Sequence, residues 1–421
     1  MIKKIAIRII YCIYDLLNKL ELTRYYKEAK NANQQSDYFN KSILKAFLIH
    51  WGFAADIIKN PLMSRYEIME WTKKVDPSKI KSWSYTGGSY GEPLRVPYSR
   101  QRNLVRTATL RYFNENGGYN LGDPFVLIRA KDKSSFLKFL RNEMIFIPQD
   151  ISEARIKWFA DKLKQKKIKV PMGYPTVIYE LALFFMRNPA QKEGITIKSI
   201  ITISEPLEDF KRKIIHDVFQ CSFIDRYSNE EVGLIAQQRE FSGEYFVNKF
   251  GIYVEIIDPD TLLSVEEGQQ GKVVVTDIYN DLIPVVRYDT GDLATAHKYV
   301  NSDLVSITNI VGRVSEQIFS VNGEPISPLM LGPFIYKPLS RQGQIFQYQF
   351  AQTSSFEYEL RIKNRKNQLS EQLIQEMISG LEKTLGKGAM ITLKLMDEIK
   401  PLPSRKRPVF KNEMPQKQHS R

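Results

Sequence analysis

Ile197-Lys-Ser-Ile-Ile-Thr-Ile-Ser-Glu-Pro-Leu207 holds the decisive pattern: an apolar, β-branched run to Ile203, a stop at Ser204, Glu205 and Pro206, then alternating charge from Leu207 to Phe219. β-Branched residues suit a buried strand, proline cannot extend it, and the charged segment reads as a helix. Strand, turn and helix in that order predict an α/β architecture, whose ligands bind beyond the strand ends.

The same rhythm extends outward. Pro124 to Arg129 reads as a short buried strand, and Ser152 to Lys167 as a helix with Ile156, Phe159, Ala160 and Leu163 on one face. Val170 to Thr176, V-P-M-G-Y-P-T, reads as a turn-rich segment leading into a helix over Val177–Met186, and Ser42 to Thr72 is mostly helical in pattern. Tyr253–Ile257 and Lys272–Thr276, around Gly268 and Gly271, predict a more antiparallel region that runs into Arg287-Tyr-Asp-Thr-Gly-Asp292.

Past Arg313 the character changes. Phe356, Tyr358, Leu360 and Ile362 alternate with charged residues, Leu369, Leu373, Met377, Leu381 and Leu385 form a helical stripe, and Ile391, Leu393 and Leu395 alternate again. This β-α-β pattern predicts a small, mobile α+β domain over 313–421, ending in a basic tail and hinged at Gly312 and Arg313. A large domain of mixed β-sheets with helices precedes it over 1–312.

Hydrophobic residues at 43% and charged ones at 26% describe a globular chain and exclude pervasive disorder. Cys12 and Cys221 supply neither a disulfide framework nor a C-x-x-C pair, and four dispersed histidines argue against a transition metal. A hard cation such as Mg²⁺, held by carboxylate and phosphate, fits better. The formal charge of +14 favours a polyanionic partner: nucleic acid, an anionic membrane or a phosphorylated substrate. No nucleic-acid-binding module appears, so nucleic acid is not expected.

Residues 1–20 begin like a signal peptide, but Arg8 and Asp15 interrupt the apolar run and no small-residue cleavage site follows, which leads us to expect a cytoplasmic protein. Lys4, Arg8, Tyr11, Asp15 and Asn18 recur at helical spacing, so this is an amphipathic helix too interrupted to span a bilayer. It either packs on its own domain or lies on a membrane surface.

Ser84 to Pro97, S-Y-T-G-G-S-Y-G-E-P-L-R-V-P, offers phosphate a cradle: Gly87, Gly88 and Gly91 free the backbone, and Thr86 and Ser89 add hydroxyl donors. Taken alone, it could equally be an exposed turn between strands. It differs from the common nucleotide loop, because Gly91 is followed by Glu92 and Pro93 rather than Lys and Ser or Thr.

T-G-G-S-Y-G-E-P at 86–93, R-Y-S-N-E-E-V-G at 226–233, R-Y-D-T-G-D at 287–292 and V-G-R at 311–313 stand in an order that resembles the acyl-adenylate-forming enzymes, in particular their phenylacetate–coenzyme A ligase and CapK-like branch. The resemblance runs from Tyr85 to the C-terminus. It implies an AMP-forming ligase: a carboxylic acid attacks the α-phosphorus of ATP, pyrophosphate leaves, and the acyl adenylate passes its acyl group to a thiol, coenzyme A in many relatives.

The resemblance also implies roles. Thr86, Gly87, Gly88, Ser89 and Gly91 would hold the β- and γ-phosphates, with Glu92 where relatives often carry lysine. Glu231 would bind Mg²⁺ and act in catalysis, next to Ser228 and Asn229 in the same motif. Tyr227 would pack on adenine, with Ser204, Glu205 and Pro206 opposite. Asp292 and Arg313 would take the ribose hydroxyls, Gly173 and Tyr174 the acyl substrate, and Lys406 the α-phosphate and attacking carboxylate. Glu230 stands where relatives carry a small hydroxyl residue, and its charge would repel the nucleotide unless engaged elsewhere. A second implication stays open: a CapK-like protein that keeps the fold and binds a nucleotide or glycan intermediate without catalysis. A role in capsular or exopolysaccharide biosynthesis and homodimerisation remain open with it.

Overall fold

The computed structural model describes residues 2–35, 41–85, 94–129, 132–148, 151–239, 243–311, 318–326, 331–332, 334–335, 338–339, 347–363, 369–400 and 408–414. The chain divides into two compact units, one of Met1–Leu207 with Ile214–Ile310, the other of Glu208–Lys213 with Val311–Arg421.

An eleven-stranded mixed sheet organises the first unit, and the α/β class expected from the Ile197–Phe219 pattern is what the structure shows. Its order runs Ile252–Ile257, Gln270–Asp277, Val285–Val300, Asp303–Val311, Tyr245–Val247, Gly233–Gln238, Ser222–Asn229, Ser199–Ile203, Val170–Gly173, Phe125–Ile128 and Glu143–Phe146. From Ser222–Asn229 to Glu143–Phe146 neighbouring strands are parallel; the strands on the other side pair antiparallel wherever the pairing is defined. Parallel strands are covered on both faces. Helices Glu153–Gln165 and Pro175–Arg187 bury Phe159, Leu163, Val177 and Leu181 in one core with Val126, Ile128 and Ile200, while Val170, Met172, Ile201 and Ile224 pack with Tyr119 in another. Ser152 caps the first of these helices, its hydroxyl accepting from the Arg155 N–H.

The structure corrects the expectation for Val170–Thr176. Val170–Gly173 is a strand inside the parallel array, between Phe125–Ile128 and Ser199–Ile203. All four of its residues are buried, so no polar alternation marks it, and Pro171 and Gly173 give it the composition of a turn.

The second unit carries a four-stranded sheet ordered Met390–Met396, Glu357–Lys363, Gln347–Gln352, Phe410–Asn412. Glu357–Lys363 and Met390–Met396 are parallel and joined through helix Glu371–Leu385, the β-α-β unit read from the sequence. The Ser370 hydroxyl caps that helix by accepting from the Leu373 N–H at 3.3 Å, and Leu373, Met377, Leu381 and Leu385 form its buried stripe.

Arg361 clamps the last strand by donating Nη1 to Glu413 Oε1 at 3.0 Å and Nη2 to Oε2 at 2.7 Å. Those bonds, with help from Lys411, hold the Glu413 carboxyl down to about 2. A depressed carboxyl contributes stability above its ordinary value of about 4.3 and loses it as pH falls through the folded value. Glu413→Gln is therefore expected to make the acid limb of unfolding shallower between about pH 4.5 and 2, followed by denaturant midpoints at stepped pH. An unchanged slope would show that the clamp adds nothing.

Candidate functional site

The parallel strands Val170–Gly173, Ser199–Ile203 and Ser222–Asn229 end on one edge, with Gly173 opposite Thr202 and Ile203 opposite Arg226. This is the edge where α/β sheets take ligands. The segments leaving it carry Gly173-Tyr174, Ser204-Glu205-Pro206 and Tyr227 to Glu231.

Gly173 is first a packing requirement. At φ 140° a Cβ placed there would lie 2.5 Å from both the Cβ and the carbonyl oxygen of Ile128. Tyr174 is buried in the parallel-side core, directly before Pro175 opens its helix. Glu205 Oε2 accepts the Thr176 N–H at 3.2 Å, tying the S-E-P turn to that helix N-terminus, where a carboxylate is favoured. Ser204 takes a left-handed φ of 73° beside it.

A tight turn then carries Ser222–Asn229 into the antiparallel strand Gly233–Gln238, with an irregularity between Tyr227 and Ser228. Asn229 Oδ1 accepts the Val232 N–H at 2.9 Å and so shapes the turn. Glu231 is buried within it, and its Oε1 accepts from the Tyr288 hydroxyl at 3.0 Å. Its Oε2 is also buried and has no hydrogen-bond partner among the described residues. A desolvated carboxylate oxygen left unpaired is costly, so it calls for a donor or a cation. Glu230 is exposed and engaged: its carboxylate accepts from the Ser84 hydroxyl, and its main-chain oxygen from the Tyr98 hydroxyl at 3.2 Å. Ser84 and Tyr98 belong to the antiparallel strands Ser82–Tyr85 and Arg95–Tyr98, which flank the glycine loop in sequence.

R-Y-D-T-G-D lies inside the long strand Val285–Val300. Val274 pairs with Asp289 and Lys272 with Leu293, so Thr290, Gly291 and Asp292 together oppose Val273 alone in a bulge. The Thr290 hydroxyl donates to the Val273 carbonyl at 2.8 Å, and Gly291 supplies φ 76°. This aims Asp292 at Tyr227, whose hydroxyl donates to Asp292 Oδ2 at 2.6 Å. Burial, and then the Asp292 charge, push the Tyr227 hydroxyl well above the usual phenol range, so it remains a donor at physiological pH.

Arg287, at φ 46°, is almost wholly enclosed. It pairs with Glu255 at 3.2 Å and donates to the carbonyls of Ile58, Asn60 and Leu262 at 3.2, 3.0 and 2.9 Å. The arginine that opens the motif therefore anchors the strand, and the residues after it serve the site.

Tyr227, Ser228, Asn229, Glu231 and Asp292 are thus brought together, with Ser204 to Pro206 on the adjoining strand end. Sequence reasoning missed Tyr288, Ser84 and the anchoring role of Arg287. The two-residue period of the strand was the available signal for Tyr288, which stands two positions before Thr290. Thr86, Gly87, Gly88, Ser89, Gly91, Glu92, Arg313 and Lys406 lie outside the described residues. Among the described residues no cluster of three or more acidic, histidine or cysteine side chains could hold a metal. Glu231 alone, with its open oxygen, suits a hard cation that takes its remaining ligands from phosphate and water.

The pairing of the 226–233 turn with the 287–292 strand can be set beside known proteins. No family model matches the chain. It is 24% identical to Protein CapK of Staphylococcus aureus over 321 residues, 72% of this chain and 68% of that one. It is 25% identical to the phenylacetate-coenzyme A ligase of Pseudomonas putida over 219 residues, 51% of this chain and 50% of the ligase. Both relatives are of the kind that the four motifs resemble, CapK and phenylacetate–coenzyme A ligase. The fold agrees: a 2-hydroxyisobutyryl-CoA ligase, solved in the postadenylation state in complex with 2-HIB-AMP, superposes with a TM-score of 0.65 over 94% of this chain and 89% of that one, at 16% identity. The chain spans about half the length of the curated ligase it matches.

Proposed function

We propose that the chain is an AMP-forming ligase that activates a carboxylic acid with ATP and passes the acyl group to a thiol, most simply coenzyme A. The observation that carries the proposal is the double link between the two motifs, Tyr288 to Glu231 and Tyr227 to Asp292. It is supported by the acyl adenylate, 2-HIB-AMP, in the structurally similar ligase and by the relation to phenylacetate-coenzyme A ligase.

In the first half-reaction a carboxylate oxygen forms a bond to the α-phosphorus, the α–β bridging P–O bond breaks, and pyrophosphate leaves. Charge builds on phosphate oxygens, so the groups that meet it must be in place beforehand. Tyr288 fixes the Glu231 carboxylate by one oxygen and leaves the other for Mg²⁺, which when bound neutralises phosphate charge. Asp292 accepts the ribose hydroxyls, and the Tyr227 hydroxyl holds its carboxylate in position while the ring meets adenine. Lys406 meets the α-phosphate, Arg313 the ribose, and the Thr86–Gly91 loop the outer phosphates. In the second half-reaction the thiol sulfur attacks the acyl carbonyl and AMP leaves.

A second reading rests on the longer match to CapK than to the ligase. Here the chain binds a nucleotide or glycan intermediate in polysaccharide assembly without catalysis. Incubation with ATP, Mg²⁺ and a panel of carboxylic acids separates the two. A ligase releases AMP only when its acid is present; ATP binding with no AMP release from any acid would favour the second reading.

A further inference from the structure

Helix Ile2–Leu17 is oriented against its own amphipathicity. The residues that pin it to the body of the first unit are its polar ones. Lys4 donates to Asp123, Arg8 Nε to the Leu121 carbonyl at 3.4 Å, and Asn18, just past the helix end, accepts from Arg100 Nε at 3.2 Å. Asp15, only 3% exposed, accepts the Thr23 N–H at 3.2 Å and the Thr23 hydroxyl. The opposite face carries Ile5, Ile9, Ile13, Leu16 and Leu17, all exposed, Leu17 to 79%, and Leu20 continues it.

The helix has a neighbour at its start. Lys3 Nζ lies 4.7 Å from the ring centroid of Phe139, and Phe139 with Phe136, the latter 70% exposed, forms an i, i+3 pair on the short helix Ser135–Arg141. Two elements linked through Lys3 thus each expose apolar side chains, where isolated ones would be unremarkable. No helix among the described residues is long and apolar enough to cross a membrane.

Charge chooses the occupant. Lys3 and Lys19 flank the stripe, the helix's one acidic side chain is the buried Asp15, and Arg141 stands on the helix of Phe136 and Phe139 with Lys138, which pairs with Asp132. A second copy of this chain would set one basic rim against another. An anionic bilayer meets both features, accepting the apolar stripe below its headgroups and the basic rim among them.

We infer that the Ile2–Leu17 helix, with Phe136 and Phe139, docks the protein on anionic lipid surfaces as a peripheral, in-plane anchor. The inference is independent of the ligase proposal. Co-sedimentation of the full chain with phosphatidylcholine vesicles, and with the same vesicles containing phosphatidylglycerol, tests it. Binding is expected to the mixed vesicles only, to weaken as salt shortens the screening length, and to fall about tenfold or more in Ile9→Glu/Leu16→Glu. Both substituted positions are exposed, and Lys3→Glu/Lys19→Glu, which leaves the apolar stripe intact, is expected to weaken binding too. Absence of binding, equal binding to neutral vesicles, or unchanged binding by the variants would overturn it. So would a dimer of the wild type in sedimentation velocity that Ile9→Glu/Leu16→Glu abolishes, because the stripe would then belong to a second copy.

Discussion

Glu231→Gln is expected to lower acid-dependent AMP formation by about 10²–10³-fold, the loss typical of removing one preorganised charge-stabilising group. The amide keeps an oxygen that can accept from Tyr288, so the turn should hold its shape. What it loses is the charge on the buried oxygen that has no partner among the described residues. Removing that charge should leave the denaturation midpoint unchanged or raise it, since an unpaired buried carboxylate is a burden to the fold. The Mg²⁺ concentration needed for half-maximal rate should also rise. A variant with wild-type rate and Mg²⁺ dependence would make Glu231 an ordinary buried acid of the turn.

Arg287→Met should produce the largest loss of stability, about 3–5 kcal/mol, because it leaves Glu255 buried without its counter-charge. The carbonyls of Ile58, Asn60 and Leu262 lose a donor in the same step. Against a typical total of about 5–15 kcal/mol the variant would be close to unfolding at ordinary temperature. Burial already raises the Glu255 carboxyl, and Arg287 is what pulls it back down. Without Arg287 the folded carboxyl is raised further, so the charge part of the deficit is full above that raised value and shrinks as pH falls from it towards the ordinary carboxylate range. Arg287→Met/Glu255→Gln should recover part of the loss. Urea denaturation of the three proteins measures this, and a single-variant loss under about 1 kcal/mol would contradict the anchoring role.

Much of this fold was legible because local composition and tertiary context agree. The β-branched run ending at Ile203 stops where Pro206 forbids extension, and the structure places strand Ser199–Ile203 there. Tyr253–Ile257 and Lys272–Thr276 pair antiparallel, with Tyr253 opposite Thr276. Val170–Gly173 was misread because a strand buried on both faces has no alternation, and Pro171 and Gly173 disguise it. The bulge at Thr290–Asp292 depends on the pairing of this strand with Lys272 to Val274, which no local pattern reports.

For the amino-terminal helix, periodicity shows that two faces exist but not which one docks. That outcome depends on Asp123, Leu121 and Arg100, more than eighty residues away in sequence. The site divides in the same way. Glu231, Tyr227 and Asp292 are named by their motifs, whereas the partners that orient them, such as Tyr288, emerge only when strands from distant segments meet.

The central claim is tested most directly by acid-dependent exchange of pyrophosphate into ATP, with Mg²⁺, across aryl, short-chain and sugar-derived carboxylic acids. The ligase account predicts exchange with one class of acid, lost in Lys406→Ala while ATP affinity changes little. A wild-type protein that binds ATP yet exchanges no pyrophosphate with any acid would contradict it.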